Sequence, residues 1–285
     1  MSTEPAKANP GAVSLCWGTI MRASLPELFA AAGFSGFDAV SVTPAMFAEA
    51  RSSGLSVSDL RRLRDAAGIS VSLIDPLMSV LPGSPDPHTA DGRFGPLFSY
   101  GEDDCYRIAE ALDVRTINVA HYMGADVPVT ALVDSLGALC GRVGAHGLGV
   151  LLEFMPEGSI PDFPTALSMV RATGAPNVAV MFDTWHFFRT GGTLGDLDDL
   201  GDGEIGGVQV SDAPALQHGV IAARVNSRLL PGDGAIPVRA LVERVLEIQP
   251  GAFMGIEVFS TALNELPLGE AARAARESMR GVVPW

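Results

Sequence analysis

The chain has 285 residues and a hydrophobic fraction of 47%, which suits one large globular α/β domain better than a disordered or fibrous protein. A formal net charge of −14 and a sequence pI near 4.7 argue against a nucleic-acid partner or an anionic membrane surface. Met1–Pro10 lacks the apolar core of a signal peptide, so we expect a cytoplasmic protein with a flexible tail over residues 1–10.

Short apolar runs alternate with helix-like segments along the chain. The runs predicted as strands are Val13–Trp17, Phe37–Val42, Ile69–Ile74, Thr116–Tyr122, Val150–Met155, Val178–Phe182, Ile205–Val210 and Phe253–Phe259. The segments predicted as helices are Ser24–Ala32, Leu55–Ala67, Ser99–Leu112, Val129–His146, Asp162–Thr173, Leu194–Leu200, Val238–Ile248 and Leu268–Arg280. Ser24 is expected to cap the first helix and Gly33 to end it.

Eight such alternations predict a parallel sheet with helices outside it, and eight repeats close into a (β/α)₈ TIM barrel, here a single domain over residues 11–285. A doubly wound open sheet is the alternative. The turn after the first strand reads Trp17-Gly18-Thr19, which is not the glycine-rich phosphate turn of that fold. No linker or longer internal repeat divides the chain.

Two connections are longer than a barrel needs. Asp75 to Pro96 and Ala213 to Ala235 are rich in proline or glycine and show no apolar periodicity. Connections of this length are functional loops or passive insertions. The three cysteines, by contrast, are scattered and form no CxxC pair, so we expect buried thiols rather than a disulfide framework or a cysteine-type zinc site.

Polar side chains lie at the predicted carboxyl ends of the later strands. These strand ends form the active face of a (β/α)₈ TIM barrel. These residues are His121, Glu153, Asp183, Gln209, Asp212 and Glu257. A carboxylate at the end of a buried strand is costly unless a cation or hydrogen bonds stabilise it. Carboxylate and amide oxygens form a hard donor set, which favours a divalent ion such as Mn²⁺, with Mg²⁺ or Co²⁺ as alternatives.

Four motifs lie in order on these strands and loops: Phe182-Asp183-Thr184-Trp185-His186, Val208-Gln209-Val210-Ser211-Asp212, Arg228-Leu229-Leu230-Pro231-Gly232-Asp233-Gly234 and Gly255-Ile256-Glu257-Val258. In this order they resemble the xylose-isomerase-like TIM barrels. Within that family they are most similar to the sugar phosphate isomerase/epimerase group, with its ketose 3-epimerases, hydroxypyruvate isomerases and inosose dehydratases. The resemblance extends from Val13 to the C-terminus.

The resemblance implies that one divalent metal ion is bound by four side chains, those of Glu153, Asp183, Gln209 and Glu257. It also implies that His186 contacts the substrate or a metal-bound water, and that Arg228 binds a substrate hydroxyl or carboxylate. Two positions depart from the family pattern. Gln209 stands where epimerases commonly have a histidine, and Ser41 stands where many members have a glutamate.

The chemistry implied is proton transfer at a carbon next to a carbonyl, with the divalent ion polarising the carbonyl. Glu153 and Glu257, on opposite sides of the ion, would remove and return the proton, with His186 as a third catalytic residue. We therefore expect an isomerase or epimerase of a keto-sugar or related polyhydroxy carbonyl compound. A dehydratase of the inosose or dehydroshikimate type, or a lyase that eliminates from keto-glycosides, is the alternative.

Each residue also has a structural interpretation. Asp183 would cap the turn that follows it, Gln209 would be satisfied inside the barrel, and Arg228 would form a loop salt bridge. His121, otherwise a substrate-binding candidate, would be a packed histidine. The aromatic residues expected either as packing or as an apolar wall over the substrate, with Trp185 among the substrate-binding candidates, are Trp17, Tyr122, Phe154, Trp185, Phe187 and Phe188.

Two other functional classes remain to be separated from a sugar isomerase. An endonuclease of the related DNA-repair branch needs many histidines and a basic surface, whereas this chain has five histidines and a charge of −14. A barrel that binds a small molecule without converting it is the non-enzymatic alternative. The expected partner is a small-molecule substrate, without nucleic acid or membrane, and family members of this kind are often homo-oligomers, either dimers or tetramers.

Overall fold

Eight parallel strands form a closed barrel whose spatial order is the order of the sequence, as seen in a computed structural model that describes residues 12–88, 94–215 and 225–283. The strands are β1 (Val13–Leu15), β2 (Ala39–Val42), β3 (Ser70–Leu77), β4 (Thr116–Ala120), β5 (Gly149–Glu153), β6 (Val178–Asp183), β7 (Ile205–Val210) and β8 (Phe253–Ile256). β1 pairs with both β2 and β8, which closes the barrel. The predicted (β/α)₈ barrel is confirmed.

Helices cover the outside of the strands. They are α1 (Leu25–Ser35), α2 (Pro44–Ser52), α3 (Val57–Ala66), α4 (Glu102–Leu112), α5 (Val129–Ala145), α6 (Phe163–Thr173), α7 (Thr184–Arg189), α8 (Val238–Ile248), α9 (Thr261–Glu265) and α10 (Leu268–Met279). Shorter 3₁₀ turns lie at Trp17–Ile20, Gly95–Ser99 and Leu194–Leu197. Among the residues described, none of the helices combines the length and the apolarity that crossing a bilayer requires.

Local capping explains where the first helix begins and ends. Ser24 caps α1 in a reciprocal box with Glu27, as the sequence predicts. The predicted stop at Gly33 is wrong, because α1 continues to Ser35 and Gly36 adopts the left-handed conformation that ends it. Gly33 has another reason to be glycine: a Cβ there would lie 2.3 Å from the Ala67 carbonyl oxygen at the end of α3.

Three helices are absent from the sequence prediction: α2, α7 and α9. Each is short and follows directly on a side-chain cap, from Thr43, Asp183 and Ser260 respectively. Short helices show little apolar periodicity, so a cap is the main signal they carry. The middle one, α7, begins on the same Asp183 that was singled out as a metal ligand.

The prediction of a loop from Asp75 onward is wrong at its start. β3 continues through Asp75 and Pro76 to Leu77, and its pairing with β4 is irregular between Ile74 and Leu77. A proline is tolerated in a central strand where the ladder of hydrogen bonds is already interrupted. The extension matters because it carries the Asp75 carboxyl group into the barrel interior.

Several predicted segments lie wholly or partly outside the described residues. The tail over residues 1–10 does, as do parts of both long connections, residues 89–93 and 216–224. The predicted buried thiols are confirmed: Cys16, Cys105 and Cys140 are free and buried. Strands β4, β5 and β8 end two or three residues earlier than predicted, so His121 and Glu257 follow their strands directly rather than lying inside them.

Candidate metal centre at the carboxyl ends of the strands

The barrel interior contains two layers of side chains. The lower layer is apolar and consists of Leu73, Leu151, Ala179, Met181 and Phe253. Side chains alternate between the two faces of a strand, so the residue two positions later points inward again. On β3, β5 and β6 that residue is an acid, namely Asp75, Glu153 or Asp183. The polar layer therefore lies directly above the apolar one, at the carboxyl ends of the strands.

Asp75 is hydrogen-bonded to side chains on two other strands. Its Oδ1 accepts from Asn118 Nδ2 at 2.8 Å, and its Oδ2 accepts from Gln209 Nε2 at 3.0 Å. The second bond joins β3 to β7 and crosses the barrel interior. Asn118 Nδ2 also donates to Glu153 Oε2 at 2.6 Å. One continuous network thus links Gln209, Asp75, Asn118 and Glu153, all of which are buried.

Asp183 is held by its own helix and by an arginine. Its Oδ1 accepts from the backbone N–H groups of Trp185 and His186, which caps α7, and its Oδ2 accepts from Arg228 Nη1 at 2.8 Å. His186 Nε2 lies 3.8 Å from Asp183 Oδ2 and 3.6 Å from Glu153 Oε1. The two structural interpretations of Asp183 and Arg228, as a cap and a salt bridge, are therefore both realised, and both residues still lie at the mouth.

Glu257 lies on the other side of the barrel mouth. Its backbone N–H donates to Val210 O at 3.0 Å, which continues the ladder between β7 and β8. Its carboxylate groups with Asp75 and Cys16, one ligand atom of each lying within 4.8 Å of the others. Glu153, Asp183 and His186 form a second such group. The three predicted acidic ligands thus fall into two groups, and the fourth predicted ligand, Gln209, is hydrogen-bonded to Asp75 of the first group.

Burial makes most of these acids hard to ionise. Burial is the main cause that raises the pKa of Asp75 to about 6, ahead of the repulsion from Asp183. Burial, followed by repulsion from Asp75, also raises the pKa values of Glu153 and Glu257 well above the ordinary range. These carboxyl groups therefore bind protons, or another cation, more strongly than an exposed acid does.

Two groups in the site have lowered pKa values. Burial of Asp183 opposes its ionisation, but the Arg228 guanidinium and His186 outweigh that effect and lower its pKa. Burial lowers the pKa of His186 to about 4, so the imidazole is neutral at physiological pH. Arg228 Nη2 lies 3.4 Å from His186 Nε2 and can only donate, which leaves the ring hydrogen on Nδ1.

The donor set fits a divalent cation. Gln209 Oε1 and Glu257 Oε1 are buried and have no hydrogen-bond partner. Within the described part of the chain, four buried acids line the mouth, and Arg228 is the single buried arginine or lysine. One guanidinium does not balance four carboxylates, and unpartnered buried oxygens are rare in folded proteins. A hard divalent ion would supply both the missing charge and the missing partners.

Arg228 is fixed by aromatic rings and by a loop. Its guanidinium carbon lies 4.4 Å from the centre of the Trp185 ring and 4.9 Å from that of Phe259. The adjacent Leu229 exchanges backbone hydrogen bonds with Asp212, whose carboxylate also accepts from the N–H groups of residues 232, 234 and 236. Asp212 therefore organises the loop that carries Arg228 and does not point at the acid cluster.

A cavity of about 480 Å³, counted with the part open to solvent, lies above the acids. Glu153, Glu257, His186 and Arg228 line it. An aromatic wall of edge-to-face rings also lines it, formed by Trp17, Phe94, Tyr122 and Phe259, and the Phe259 ring lies against Arg228. The cavity opens to solvent, so a small molecule can reach the acids through it.

Two residues predicted to bind substrate have other surroundings. Both ring nitrogens of His121 are engaged, with Nε2 3.0 Å from Pro82 O and Nδ1 accepting from the Ser159 backbone N–H. Trp185 is fully buried beneath Arg228, so it supports the mouth without lining the cavity. Phe154 and Phe187 are also core residues, and Phe188 packs against the core outside the cavity lining, which leaves Trp17 and Tyr122 from the predicted wall.

Two residues of the network, Asp75 and Asn118, are absent from the sites predicted from the sequence. A signal existed for each. Asn118 is a polar residue in the middle of an otherwise apolar predicted strand, and the alternation of that strand turns it to the interior. Asp75 directly follows the apolar run Ile69–Ile74, but the proline after it indicated a loop.

Comparison with known proteins supports the assignment of the fold. Residues 27–282 match the model of a family described as xylose isomerase-like TIM barrel. The IOLI protein, solved with a bound zinc atom, superposes with a TM-score of 0.82 at 18% identity and covers 95% of this chain and 98% of its own. A D-psicose 3-epimerase solved with D-fructose gives a TM-score of 0.69 at 16% identity, over 95% of this chain and 99% of its own. At these identities the likeness shows the fold.

Relatives found by sequence are enzymes of the isomerase and dehydratase type. An inosose isomerase of Bacillus velezensis is 27% identical over 140 residues, which is 48% of this chain and 49% of that protein. A 3-dehydroshikimate dehydratase of Pseudomonas aeruginosa is 23% identical over 250 residues, which is 87% of this chain and 38% of that protein. The match thus spans about half the length of the inosose isomerase and less of the dehydratase.

Proposed function

The chain belongs to the xylose isomerase-like TIM barrel family, and we propose that it is a divalent-metal-dependent isomerase or epimerase of a keto-sugar or related polyhydroxy carbonyl compound. The observation that carries the proposal is the arrangement of two buried acids, Glu153 and Glu257, on one small cavity. Both have raised pKa values because of burial, and both lie in separate three-residue groups with metal-ligand character. Buried acids with raised pKa values are suited to exchange protons with carbon.

Glu153, Asp183, Gln209 and Glu257 would hold the divalent ion, with Mn²⁺ favoured for its preference for oxygen donors. When bound, it supplies Lewis-acid polarisation of the substrate carbonyl. Two donor atoms, Gln209 Oε1 and Glu257 Oε1, are unpartnered in the protein and need no hydrogen bond broken to bind it. Zinc, which is present in the IOLI protein structure, is the alternative ion.

Glu153 takes the proton from the carbon next to the carbonyl. Its Oε2 accepts the hydrogen bond from Asn118, and its Oε1 lies 3.6 Å from His186 Nε2. Glu257, across the mouth, returns a proton from its carboxyl group. Return to the same carbon on the opposite face inverts it, and return to the neighbouring carbon isomerises the compound.

The remaining groups bind and orient the substrate. Arg228, held between two aromatic rings, has fixed N–H groups that donate to a hydroxyl or carboxylate oxygen of the substrate. His186 is neutral and contacts a substrate hydroxyl. The aromatic wall of Trp17, Phe94, Tyr122 and Phe259 packs against the C–H face of a ring, which favours a cyclic substrate over an open chain.

The experiment is a screen of ketoses, inososes and keto-glycosides in D₂O with Mn²⁺, Mg²⁺, Co²⁺ or Zn²⁺ added to metal-free protein. We expect deuterium in the product at the carbon next to the carbonyl, at an inverted centre for an epimerase and at the adjacent carbon for an isomerase. Glu153→Gln, which keeps the shape and the Asn118 contact of the side chain, is expected to abolish deuterium incorporation.

The matched control for Glu153→Gln is Glu157→Gln. Glu157 is a partly exposed residue at the rim of the same cavity and is paired with Arg189 at 2.6 Å, so this change removes one cavity charge and leaves the proton-transfer pair intact. Full deuterium exchange by the Glu153→Gln protein would contradict the assignment of the base. If neither the wild type nor any ion gives exchange while a ligand still binds, the barrel is a binding protein and the enzymatic proposal fails.

A dehydratase is the second candidate. The 3-dehydroshikimate dehydratase is the relative whose match extends over 87% of this chain. The same removal of a proton next to a carbonyl leads to dehydration when a β-hydroxyl group leaves and the acid across the mouth protonates it. Release of water, with an unsaturated carbonyl product that absorbs in the ultraviolet, would identify this reaction in the same screen.

A further inference from the structure

Asp75 occupies the centre of the network but has no part in the proton transfer of the proposed function. It is 2% exposed, and both of its oxygens are engaged, Oδ1 by Asn118 Nδ2 at 2.8 Å and Oδ2 by Gln209 Nε2 at 3.0 Å. Its partners come from β4 and from β7, which lies across the barrel from β3. Asp75 is therefore the one acid of the cluster that binds two side-chain amides.

The chemistry of a carboxylate dictates how those amides are turned. An ionised carboxylate only accepts hydrogen bonds, so each amide must present its N–H₂ group to Asp75. The amide oxygen then points away from Asp75. Gln209 Oε1 and Asn118 Oδ1 are in fact both buried and both without a hydrogen-bond partner. The two unpartnered oxygens have a common cause, because the same acid takes the donor side of both amides.

We infer that Asp75 is a positioning residue that fixes the amide of Gln209, so that Oε1 and not Nε2 is offered to the divalent ion; this inference rests on the proposed function. A glutamine amide has an oxygen and a nitrogen of nearly equal shape, and without a fixed acceptor it can present either. The nitrogen side, with two hydrogens, would repel a cation. A ligand that replaces the histidine expected at this position thus depends on a neighbouring acid for its orientation.

The same acid acts on a second ligand through Asn118. Asn118 Nδ2 donates to Asp75 and to Glu153 Oε2, so its position is set by both carboxylates. This leaves Glu153 Oε1 free of that bond. Partners behind metal ligands commonly change metal affinity by ten- to a hundred-fold when removed, even though they never touch the ion. Asp75 is placed to have such an effect on two ligands at once.

The test is calorimetric titration of metal-free protein with Mn²⁺, which needs no substrate. The proteins are the wild type, Asp75→Asn, Gln209→Ala and the double variant. If Asp75 acts through Gln209, each single change weakens binding by about ten-fold. The double variant is then no more than about two-fold weaker than Asp75→Asn alone, because the ligand that Asp75 would orient is already absent.

If the double variant binds Mn²⁺ about a hundred-fold more weakly than the wild type, the two single effects multiply and the inference is overturned. Asp75 would then bind the ion directly, in the group it forms with Cys16 and Glu257, or act by charge alone. Glu157→Gln measures the effect of one lost charge at the rim and is expected to weaken binding less than two-fold. If the wild type itself binds no divalent ion, the proposed function fails, and that outcome is distinct from multiplying losses.

A second variant keeps the inference testable if Asp75→Asn does not fold. Gln209→Glu sets a carboxylate against Asp75 at the present 3.0 Å contact, so two acceptors face each other. We expect the metal-free variant to unfold at a lower temperature than the wild type. We also expect Mn²⁺ to raise the unfolding temperature of the variant more than that of the wild type. If Mn²⁺ raises the unfolding temperature of Gln209→Glu no more than that of the wild type, the side chains at positions 75 and 209 do not depend on each other.

Discussion

The two layers inside the barrel are built on the same strands and differ in the polarity of their side chains. The pairs are Leu73 and Asp75 on β3, Leu151 and Glu153 on β5, and Met181 and Asp183 on β6. In each pair the second residue follows two positions after the first, faces the same way and is equally buried. Burial is favourable for the lower residue and costly for the upper one.

This difference separates stability from activity along the barrel axis. Each fully buried apolar side chain stabilises the fold by about 1.5–3 kcal/mol. Each buried carboxyl group costs free energy unless a partner compensates it, which the raised pKa values of Glu153 and Glu257 express. The lower layer holds the strands in place while the upper layer keeps acids where water would otherwise solvate them. Substitutions that exchange the character of a layer test this division.

The largest effect is expected from making the upper layer like the lower one. Glu153→Leu removes the proposed base and a metal ligand, so kcat should fall by about 10²–10⁴-fold or more. The metal-free protein should become about 1–2 kcal/mol more stable, because an apolar side chain replaces a buried acid of similar volume. Steady-state kinetics and urea unfolding measure the two quantities on the same preparation. A variant that is both inactive and less stable would contradict the division between layers.

The second test changes the lower layer, two residues earlier on the same strand. Leu151→Ala leaves a cavity among Ala179, Met181 and Phe253 and should destabilise the protein by about 2–4 kcal/mol. Gly206 and Gly207 lie against Leu151 and carry no side chain to fill the gap. The Kd for Mn²⁺, measured at a temperature where the variant is folded, should change less than about two-fold, since no ligand is touched. A tenfold weaker Kd would mean that the layers are coupled.

The topology and the positions of the upper-layer acids at strand ends follow from sequence because both depend on local periodicity. β5 and β6 are apolar runs that end in an acid, and in a parallel barrel such ends meet at one mouth. The helix between them was predicted over Asp162–Thr173, and α6 spans Phe163–Thr173 with Asp162 as its cap and Gly174 at its end. Buried strands and well-capped helices are the elements whose signals lie within a few residues.

What escaped prediction depends on long-range contacts. Asp75 enters the barrel because β3 continues through a proline at an irregular register with β4, and no local pattern indicates that. Its partner Gln209 lies 134 positions away in the sequence. Trp185 was predicted to bind substrate as part of an aromatic wall beside the strand ends, whereas in the short helix α7 its ring lies under Arg228. Neighbours in sequence on a helix do not share a face.

The free energy that burying the upper-layer acids costs the folded protein should depend on pH. Burial raises the pKa of Asp75 to about 6, against an ordinary value near 3.9 in the unfolded chain. The folded protein therefore binds this proton more tightly, so the stabilising contribution is complete below about pH 4 and is lost as pH rises through 6. Relative to Asp75→Asn, the free energy of unfolding of the metal-free wild type should fall by roughly 2 kcal/mol from pH 4 to pH 7.

The comparison with Asp75→Asn is needed because His186 acts in the opposite direction. Burial lowers its pKa to about 4, so its contribution is present above pH 6.5 and is lost as pH falls towards 4. Both proteins contain His186, and subtraction removes its effect. Mn²⁺ competes with protons for the buried carboxyl groups, so its effect on Tm should be larger at pH 7.5 than at pH 5.5. A Tm shift that is equal at both pH values would contradict the proposed ligands.

The smallest expected effect tests the support beneath Arg228, outside both layers. Trp185→Leu removes the ring 4.4 Å from the guanidinium carbon, an interaction between a cation and an aromatic face that contributes about 0.5–2 kcal/mol. The ring of Phe259, at 4.9 Å, and the ion pair with Asp183 remain, so Arg228 is loosened but not displaced. We expect KM to rise by about two- to ten-fold with kcat nearly unchanged, since the acids that move the proton keep their places. Trp185→Phe preserves an aromatic face and should recover most of the wild-type KM. If kcat fell as far as kcat/KM in Trp185→Leu, Arg228 would have to act on the reacting carbon itself and not only on a substrate oxygen distant from it.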